Sequence, residues 1–537
     1  MAVLLASMAL TTGARAQESP PLLPPEAPPL STWATAQAAP PLPAAEANGG
    51  YHNGLFYLRS SDDVFRLYVQ GRVHVDHYAW FGPGLSQLTP DQALKDGFLL
   101  RRARLEMAGE FFRMWQWQVG AEFAPSSADN VAANTASTSC KVDPTSSLLT
   151  CSTRQNPVDA PSAKPAPTDA FINFAPSPWA NVQVGQFFLP FTLENRISDN
   201  TMPFLERSMA VRNIGAPLQR EIGAMFWGES PDRSVYYAAG VFNGDGPNRP
   251  NADSRYDFAA RFLARPFATS VASATSPSKW TQIGASVHVG SRDATQVGYD
   301  MPSLTTQEGF AFWKPTYTDS FGRLIHIIPS ATQVAVAGDL YVPIENFDFT
   351  GELIYVDYNT REAVDGLQLS PFTERTGAFK GYGYYAQVDY WILGDHEVTG
   401  YPSYQRPLHL DLKAAPKPAQ HGLQALARFE QMHLTYGGAS RGGAVDSKTP
   451  NGDIDVTALT LGVNYWATRH LRVSINYGYY LFPDSEPTSA SAKGGPAQSA
   501  SQRAVSPAQN LPKGVDDSAR DGSHDLHEVS MRVGVQF

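Results

Sequence analysis

This sequence is poor in cysteine, in charged residues and in long apolar runs, and each shortage excludes a class of protein. Its 537 residues include two cysteines, and Asp, Glu, Lys and Arg together make up 17% of the chain. Disulfide-rich secreted scaffolds are therefore excluded. No internal stretch approaches the roughly 18 consecutive apolar residues of a membrane-spanning helix. The formal net charge of −10 argues against a general nucleic-acid binder.

Motifs for catalysis and metal binding are also missing. The sequence has no G-x-S-x-G, H-E-x-x-H, P-loop or paired C-x-x-C pattern. GDGPN and PNGDIDV resemble calcium loops in composition but lack the twelve-residue spacing and the final Glu, so tight turns are the simpler interpretation. We therefore predict no catalytic residue, no cofactor and no metal ligand. A Ser or Asp beside a His on neighbouring strands would leave no such motif and stays open.

The first sixty residues are typical of export and linker segments. Residues 1–16 are predicted to be a signal peptide, with a short apolar core at residues 3–10 and a small-x-small cleavage site at residues 14–16. A positively charged start is missing, so an apolar, disordered N-terminus is the alternative. Residues 17–60 contain PPLLPPEAPPL and APPLPAAE, which predicts an extended, Pro/Ala-rich periplasmic arm.

The two cysteines, Cys140 and Cys151, lie close together in a Ser/Thr-rich stretch. In an oxidising compartment they could close a small disulfide loop, and two reduced thiols are the alternative. Metal binding is not expected, because no histidine or further cysteine lies nearby.

Amphipathic strands recur along the rest of the chain. In the first one, Val73 and Val75 alternate with Arg72, His74 and Asp76. One such strand fits a soluble sandwich as well as a membrane barrel, because both need one apolar face. The pattern predicts sixteen strands, at residues 65–79, 99–112, 115–123, 170–174, 181–188, 221–227, 235–242, 255–266, 281–290, 332–342, 347–358, 383–393, 422–436, 454–466, 471–481 and 524–537.

The connections between these strands alternate in length. The odd-numbered ones are long and polar, whereas most even-numbered ones are short, such as PIEN and ATRH. Residues 267–279 and 394–421 are the two exceptions. Long external loops and short periplasmic turns are typical of bacterial outer-membrane barrels, which carry an even number of strands. We therefore predict an all-β fold, a sixteen-stranded antiparallel transmembrane barrel formed by residues 61–537, embedded in outer-membrane lipid.

The third external connection, residues 189–220, is polar yet rich in large apolar side chains. This composition predicts a loop that folds into the barrel and narrows it, and an ordinary compact surface loop is the alternative. The candidate pore-constriction residues are Arg196, Arg207, Arg212, Arg220, Glu194 and Glu206. With Asp199 and Glu221 included, four acids stand against the four arginines. Because these charges nearly balance, the loop is expected to create a transverse field rather than an anion trap.

The polar faces of the strands also carry arginines. The candidate lumen-lining residues are Arg66, Arg72, Arg102, Arg104, Arg261, Arg265, Arg428 and Arg472. Arginines on a pore wall attract anions and can bind phosphate or carboxylate oxygens in pairs. Pairing with acids on adjacent strands, which would stiffen a wide barrel, is the alternative.

The stretch GQFFLPFTLENRIS…NTMPFLERSMA, followed by REIGAMFWGE and YYAAGVFNGDG, resembles the phosphate-selective porin O and P family. The resemblance extends more loosely from LYVQGRVHVDHYAWF to HEVSMRVGVQF. It implies a passive outer-membrane channel of a Gram-negative bacterium for small hydrophilic solutes, including small inorganic or organic anions. It also implies a homotrimer, and a C-terminal strand that is recognised by the barrel-assembly machinery.

The sequence departs from the family pattern at the constriction. Phosphate-binding members of the family concentrate lysines there, whereas residues 189–220 contain none. The residues therefore favour a less selective, mildly anion-preferring channel. The alternative function is a non-conducting barrel with a structural or adhesive role through its long external loops.

Overall fold

A computed structural model describes most of the chain after the predicted arm. The described residues are 48–81, 96–112, 114–124, 136–142, 149–155, 165–269, 276–293, 299–313, 315–318, 324–364, 375–402, 407–414, 421–440, 451–482 and 525–537. The predicted signal peptide and residues 17–47 of the predicted arm lie outside this part. Among the described residues, no helix is long and apolar enough to span a bilayer.

Sixteen strands make up the barrel, and we number them in chain order. They are β1 (Phe65–Phe81), β2 (Gly97–Phe111), β3 (Trp115–Glu122), β4 (Ala166–Ser177), β5 (Ala180–Phe188), β6 (Arg220–Glu229), β7 (Val235–Phe242), β8 (Asp257–Ala264), β9 (Gln282–Arg292), β10 (Leu324–Ile344), β11 (Phe347–Val364), β12 (Arg375–Leu393), β13 (Gly422–Ser440), β14 (Gly452–Thr468), β15 (Leu471–Leu481) and β16 (Asp525–Gln536).

Each strand pairs antiparallel with its neighbours in the chain, and β16 closes the ring on β1, with Arg532 opposite Asp76. The predicted sixteen-stranded antiparallel barrel is confirmed. Several strands run further than predicted. β10, for example, begins at Leu324 instead of residue 332, because residues 325–329 continue to pair with the end of β11.

The strand faces are reversed relative to a soluble protein. On β1, Val73 and Val75 are 41% and 42% exposed, whereas Arg72, His74 and Asp76 are buried. A soluble sandwich would bury the apolar face and expose the charged one. The apolar face instead points outward, as lipid requires. This reversal decides between the two interpretations that a single strand left open.

A hairpin of two short strands, Gly49–His52 and Leu55–Arg59, precedes the barrel. Its second strand pairs with the start of β1, with Arg59 opposite Arg66. β16 ends where Phe537 exchanges backbone hydrogen bonds with Gly71, so the hairpin supplies partners for β1 beyond that point. Residues 48–59 of the stretch predicted as an arm are thus part of the sheet.

The C-terminal residue fits against β1 because residue 71 is a glycine. A Cβ atom at Gly71 would lie 2.5 Å from the ring of Phe537 and 2.9 Å from the carbonyl oxygen of Arg104. Such distances are too short for non-bonded atoms. The terminal aromatic ring and the glycine therefore form one closure point of the barrel.

Two further strands, Ala136–Val142 and Leu149–Gln155, form a separate hairpin in the connection between β3 and β4. Cys140 and Cys151 stand directly opposite each other in its register. Backbone positions paired in this way are about 4.5 to 5.5 Å apart, within the range that a disulfide spans. The oxidation state of the pair stays a prediction.

Candidate pore constriction

The connection between β5 and β6, residues 189–219, is buried although much of it is polar. Phe191, Leu193, Phe204, Leu205 and Met209 are each at most 1% exposed. A 3₁₀ turn at Glu194–Arg196 and a π-helical turn at Val211–Gly215 shape the segment. We call residues 189–219 the constriction loop.

Acidic side chains of distant strands hold the backbone of the constriction loop. The amides of Leu193 and Glu194 donate to the carboxylate of Glu352 on β11, at 2.8 and 2.7 Å. The amide of Met209 donates to Glu430 on β13, at 2.7 Å. These bonds satisfy amides that neither helix nor sheet would pair.

Arginines on β15 and β16 hold carbonyl groups of the same loop. Arg472 donates from Nη1 to the carbonyl of Met202 at 2.7 Å, and Arg532 donates to the carbonyl of Leu205 at 2.7 Å. Both guanidinium groups are buried. The constriction loop therefore lies against the buried, polar faces of strands from several parts of the barrel.

Asp199 of the constriction loop lies among four arginines. Its carboxylate is 3.0 Å from Arg102, 3.6 Å from both Arg72 and Arg104, and 3.9 Å from Arg207. Three of these arginines belong to β1 and β2, so the cluster ties the loop to that wall. Arg72 also pairs with Glu106 at 2.7 Å and Arg104 with Glu122 at 3.1 Å, so acids of the protein itself are the partners of these positive charges.

Glu206 is the centre of a second ionic cluster. Arg101 binds it at 2.9 and 3.0 Å, Arg532 at 2.9 Å, and Arg212 lies 3.4 Å away. Arg101 was not predicted to face the lumen, because strict alternation with Arg102 puts it on the lipid face. A bulge in β2, where the register shifts between residues 100 and 102, turns both side chains inward. The sequence feature that could have indicated this bulge was the presence of two adjacent arginines within one strand.

Arg428 on β13 connects two parts of the constriction loop, one at Glu194 and one at residues 204–206. Its Nη1 lies 3.0 Å from Glu194, its Nη2 donates to the carbonyl of Glu206 at 3.1 Å, and its guanidinium stacks 4.2 Å from the ring of Phe204. A guanidinium group has several N–H donors and a flat face, so it can contact a carboxylate, a carbonyl and an aromatic ring at the same time. Arg428 thus serves as an internal clamp on the loop.

The remaining predicted arginines also have protein partners. Arg261 pairs with Asp339 at 2.7 Å, and Arg66 pairs with Asp63 at 2.7 Å near the start of β1. Arg265 donates to a backbone carbonyl at 3.1 Å. These contacts agree with the structural-pairing alternative that the sequence left open.

Arg196 and Arg220 occupy the junction between β5, β6 and the loop. Arg196 donates to the carbonyl of Phe188 at 3.1 Å. Arg220 pairs with Asp169 at 2.8 Å and stacks 3.8 Å above the ring of Phe188.

A second segment, residues 299–313 in the connection between β9 and β10, packs beside the constriction loop. Thr306 donates to Glu528 at 2.6 Å, Gln307 donates to Glu430 at 2.6 Å, and Arg212 donates to the carbonyl of Gln307 at 2.8 Å. This segment contains none of the candidate site residues predicted from the sequence. The sequence feature that could have indicated its packing was the run FAFW, which is apolar within an otherwise polar connection.

Two of the cavities formed by the described residues beside the constriction loop have arginines in their walls. The larger has a volume of about 260 Å³ and is lined by Arg72, Arg104, Arg196 and Arg220 among others, with Asp348 and Asp389 also on its wall. The smaller has a volume of about 130 Å³ and is lined by Arg220, Glu221, His288 and Arg292 among others. Arg220 is the one described residue that lines both. Arg207 and Arg212 line neither, so their contacts hold the loop in place.

The long connection between β12 and β13 reaches across the barrel mouth on the side of the short turns. His396 lies 2.8 Å from Asp348, and His409 lies 3.0 Å from Glu110 on β2. Arg66 also donates to the carbonyl of Leu410 at 2.9 Å. The hydrogen bond to Glu110 raises the pKa of His409, although partial burial opposes the shift.

Comparison with known proteins gives one family match and several similar solved structures. Residues 71–299 match the family model of phosphate-selective porin O and P, and no curated protein matches the chain. Similar solved structures include the outer membrane channel DcaP of Acinetobacter baumannii, at 11% identity and a TM-score of 0.45, with 89% of this chain and 99% of that chain covered. OmpT of Vibrio cholerae in its trimer form has 10% identity and a TM-score of 0.43, covering 88% and 100%.

The matched stretch begins at Gly71 in β1, ends after β9 and includes the whole constriction loop. The family resemblance that the sequence indicated is therefore confirmed. The chain is an outer-membrane porin that matches the phosphate-selective porin O and P family over residues 71–299.

Proposed function

We propose that this porin is a passive channel for small hydrophilic solutes and that its narrowest passage lies at Arg220. The observation that carries the proposal is that the two cavities on either side of the constriction loop share Arg220 in their walls. On this proposal, a solute moves from one cavity to the other past this guanidinium. Within a narrow channel with low-dielectric walls, one such charge acts strongly on a passing ion.

The predicted constriction residues then divide into two groups. Arg196 and Arg220 line the larger cavity, and Glu194 shares that wall while pairing with Arg428. Buried contacts of Arg207 and Glu206 hold the loop, and so does a partly buried hydrogen bond of Arg212.

The channel is expected to discriminate weakly among anions. The arginines beside Asp199 and Glu206 already have acidic partners, and the constriction loop has no lysine. These features favour a broad solute range over tight phosphate binding. The family model is the argument for retaining phosphate as a test solute.

The partners proposed from the resemblance are outer-membrane lipid, the barrel-assembly machinery and two further copies of the chain. The outward side chains of β16, including Met531, Val533 and Val535, are 39–45% exposed in the single chain. Such a surface suits either lipid or a neighbouring subunit. Chemical cross-linking in native membranes tests the trimer, because three copies give a ladder that ends at three times the monomer mass.

Planar-bilayer recording of the purified protein tests the channel. We expect discrete conductance steps in potassium chloride and a reversal potential that reports a weak preference for one ion. The absence of steps from correctly folded protein would contradict the proposal. It would favour a non-conducting barrel with a structural or adhesive role. The constriction loop and residues 299–313, which pack inside the barrel, and the β12–β13 connection across its mouth are also compatible with that role.

A further inference from the structure

Two inner connections are longer than a barrel turn requires, and the structure brings them together. They are residues 267–279 and 394–421, the exceptions to the alternation of loop lengths. Trp280, directly after the first, stacks on Tyr401 of the second, with ring centroids 5.0 Å apart and ring planes inclined by 19°. The two exceptions therefore belong to one structure on the side of the short turns.

We call the described residues of the second connection, 394–402 and 407–414, the strap. One anchor of the strap is Tyr401, whose ring also stacks on His396, at 4.8 Å and 14°. His396 in turn lies 2.8 Å from Asp348 at the start of β11. Stacked aromatic rings restrict both the position and the tilt of a side chain. Tyr401 therefore has a defined place beside β11.

The other anchor of the strap lies on β1 and β2. Arg66 donates to the carbonyl of Leu410 at 2.9 Å, and His409 lies 3.0 Å from Glu110. Leu410 is 5% exposed and belongs to one apolar cluster with Tyr68 of β1. Five strands, β12–β16, lie between β11 and β1 in the closed ring. The strap therefore reaches over the mouth of the barrel instead of joining β12 directly to β13.

The strap forms part of the wall of the larger cavity. Its residues on that wall are Thr399, Gly400, Tyr401, Pro402 and Leu408. None of them carries a charge, and Tyr401 has the largest side chain. The constriction loop lines the same cavity, with Ser198, Asn200 and Thr201 among others. The larger cavity is thus bounded both by the constriction loop and by the strap.

We infer that the strap is a second constriction, which limits the size of the solutes that enter the larger cavity from the side of the short turns, and that Tyr401 sets this limit. The inference rests on the proposed channel function and adds a size filter to it. Arg220 and Tyr401 then have separable roles. A change at the guanidinium alters the preferred ion, whereas a change at the uncharged ring alters the size of solute that is admitted.

Neutral polyethylene glycols of increasing mass, added to each side of a planar bilayer in turn, measure the size limit. A polymer that enters the channel lowers its conductance, whereas an excluded polymer has little effect. In Tyr401→Ala we expect the limit to shift to larger polymers on one side only, because the approach from the long loops is unchanged. Tyr401→Phe, which keeps the ring, should keep the wild-type limit on both sides. A limit that stays unchanged on both sides in folded Tyr401→Ala protein, or shifts on both, would overturn the inference.

Tyr390→Ala is the matched control, because Tyr390 lies near the same end of β12 and is 39% exposed on the outer face of the barrel. It also removes one tyrosine ring, but away from the cavity, so the size limit should stay that of the wild type. An equal shift in Tyr390→Ala and Tyr401→Ala would contradict the inference. Neither substitution removes a charge, so both variants should keep the wild-type reversal potential.

Thiol labelling separates the inference from the channel proposal, because it needs no ion current. Thr201→Cys, in a chain whose two native cysteines are replaced by serine, places a thiol on the wall of the larger cavity. Folded protein in detergent is treated with maleimides linked to polymers of increasing mass. Adding Tyr401→Ala should extend the labelling to longer polymers. That result supports the strap as a size filter even if no current flows, and the same limit with and without Tyr401→Ala refutes it.

Discussion

Removing the charge of Arg220 should shift the ion selectivity of the channel toward cations. Arg220 is the described residue common to both cavities, and its partner Asp169 lies 2.8 Å away. In Arg220→Gln the acid remains without its cation, so the passage becomes more negative. In Asp169→Asn the guanidinium remains alone, and the shift should have the opposite sign.

The size of the effect follows from Coulomb's law. At roughly 6 Å, one unit charge acts on a passing ion with about 0.7 kcal/mol in water-like surroundings, and with about four times that at an effective dielectric constant of 20. The lower figure corresponds to roughly a threefold change in the permeability ratio of chloride to potassium. The change should fade toward 1 M salt, where the Debye length falls to about 3 Å.

Reversal potentials across a salt gradient measure this ratio for each variant. Arg255→Gln is the control, because Arg255 lies in the connection between β7 and β8 and its side chain is 54% exposed. Breaking a buried pair can cost roughly 3–5 kcal/mol of stability, so each variant must first show the heat-dependent gel shift of a folded barrel. Arg220→Lys should keep the wild-type selectivity. Selectivity changes that are equal in Arg220→Gln and Arg255→Gln would refute the placement of the narrowest passage.

Three further predictions concern closure, pH and topology. Gly71→Val should reduce the yield of heat-modifiable barrel as strongly as deletion of Phe537, because the added side chain meets the terminal ring; a normal yield of both variants would show that this closure point is dispensable. Because the pKa of His409 is raised, its contact with the barrel should stabilise the β12–β13 connection below about pH 6.5 and be lost as the pH rises through the raised pKa. Backbone hydrogen exchange in that connection should therefore be faster at high pH, after correction for the intrinsic base catalysis of exchange. A corrected exchange rate that does not change with pH would contradict this. An epitope inserted at Ser146 should be detected on intact cells and one within residues 228–234 should not; the reverse result would overturn the orientation.

The sequence by itself determined the strands, their number and the family. Alternation is a local property, so Val73 and Val75 beside Arg72 and His74 are sufficient to show one apolar and one polar face. Connection lengths are local as well, and they indicated the antiparallel order before any contact was known. The sequence also indicated that residues 189–220 are unusual for a surface loop, because they contain more large apolar side chains than a solvated loop normally has.

Tertiary structure decided which charged residues act together. The bulge that turns Arg101 toward Glu206 depends on pairing between β1 and β2, and alternation alone assigns the residue to the other face. The distinction between Arg220, which lines both cavities, and Arg207, which lines neither, depends on how the loop packs against strands far away in the chain. The sequence contains each residue, but contacts across hundreds of residues determine which charges remain available to a solute.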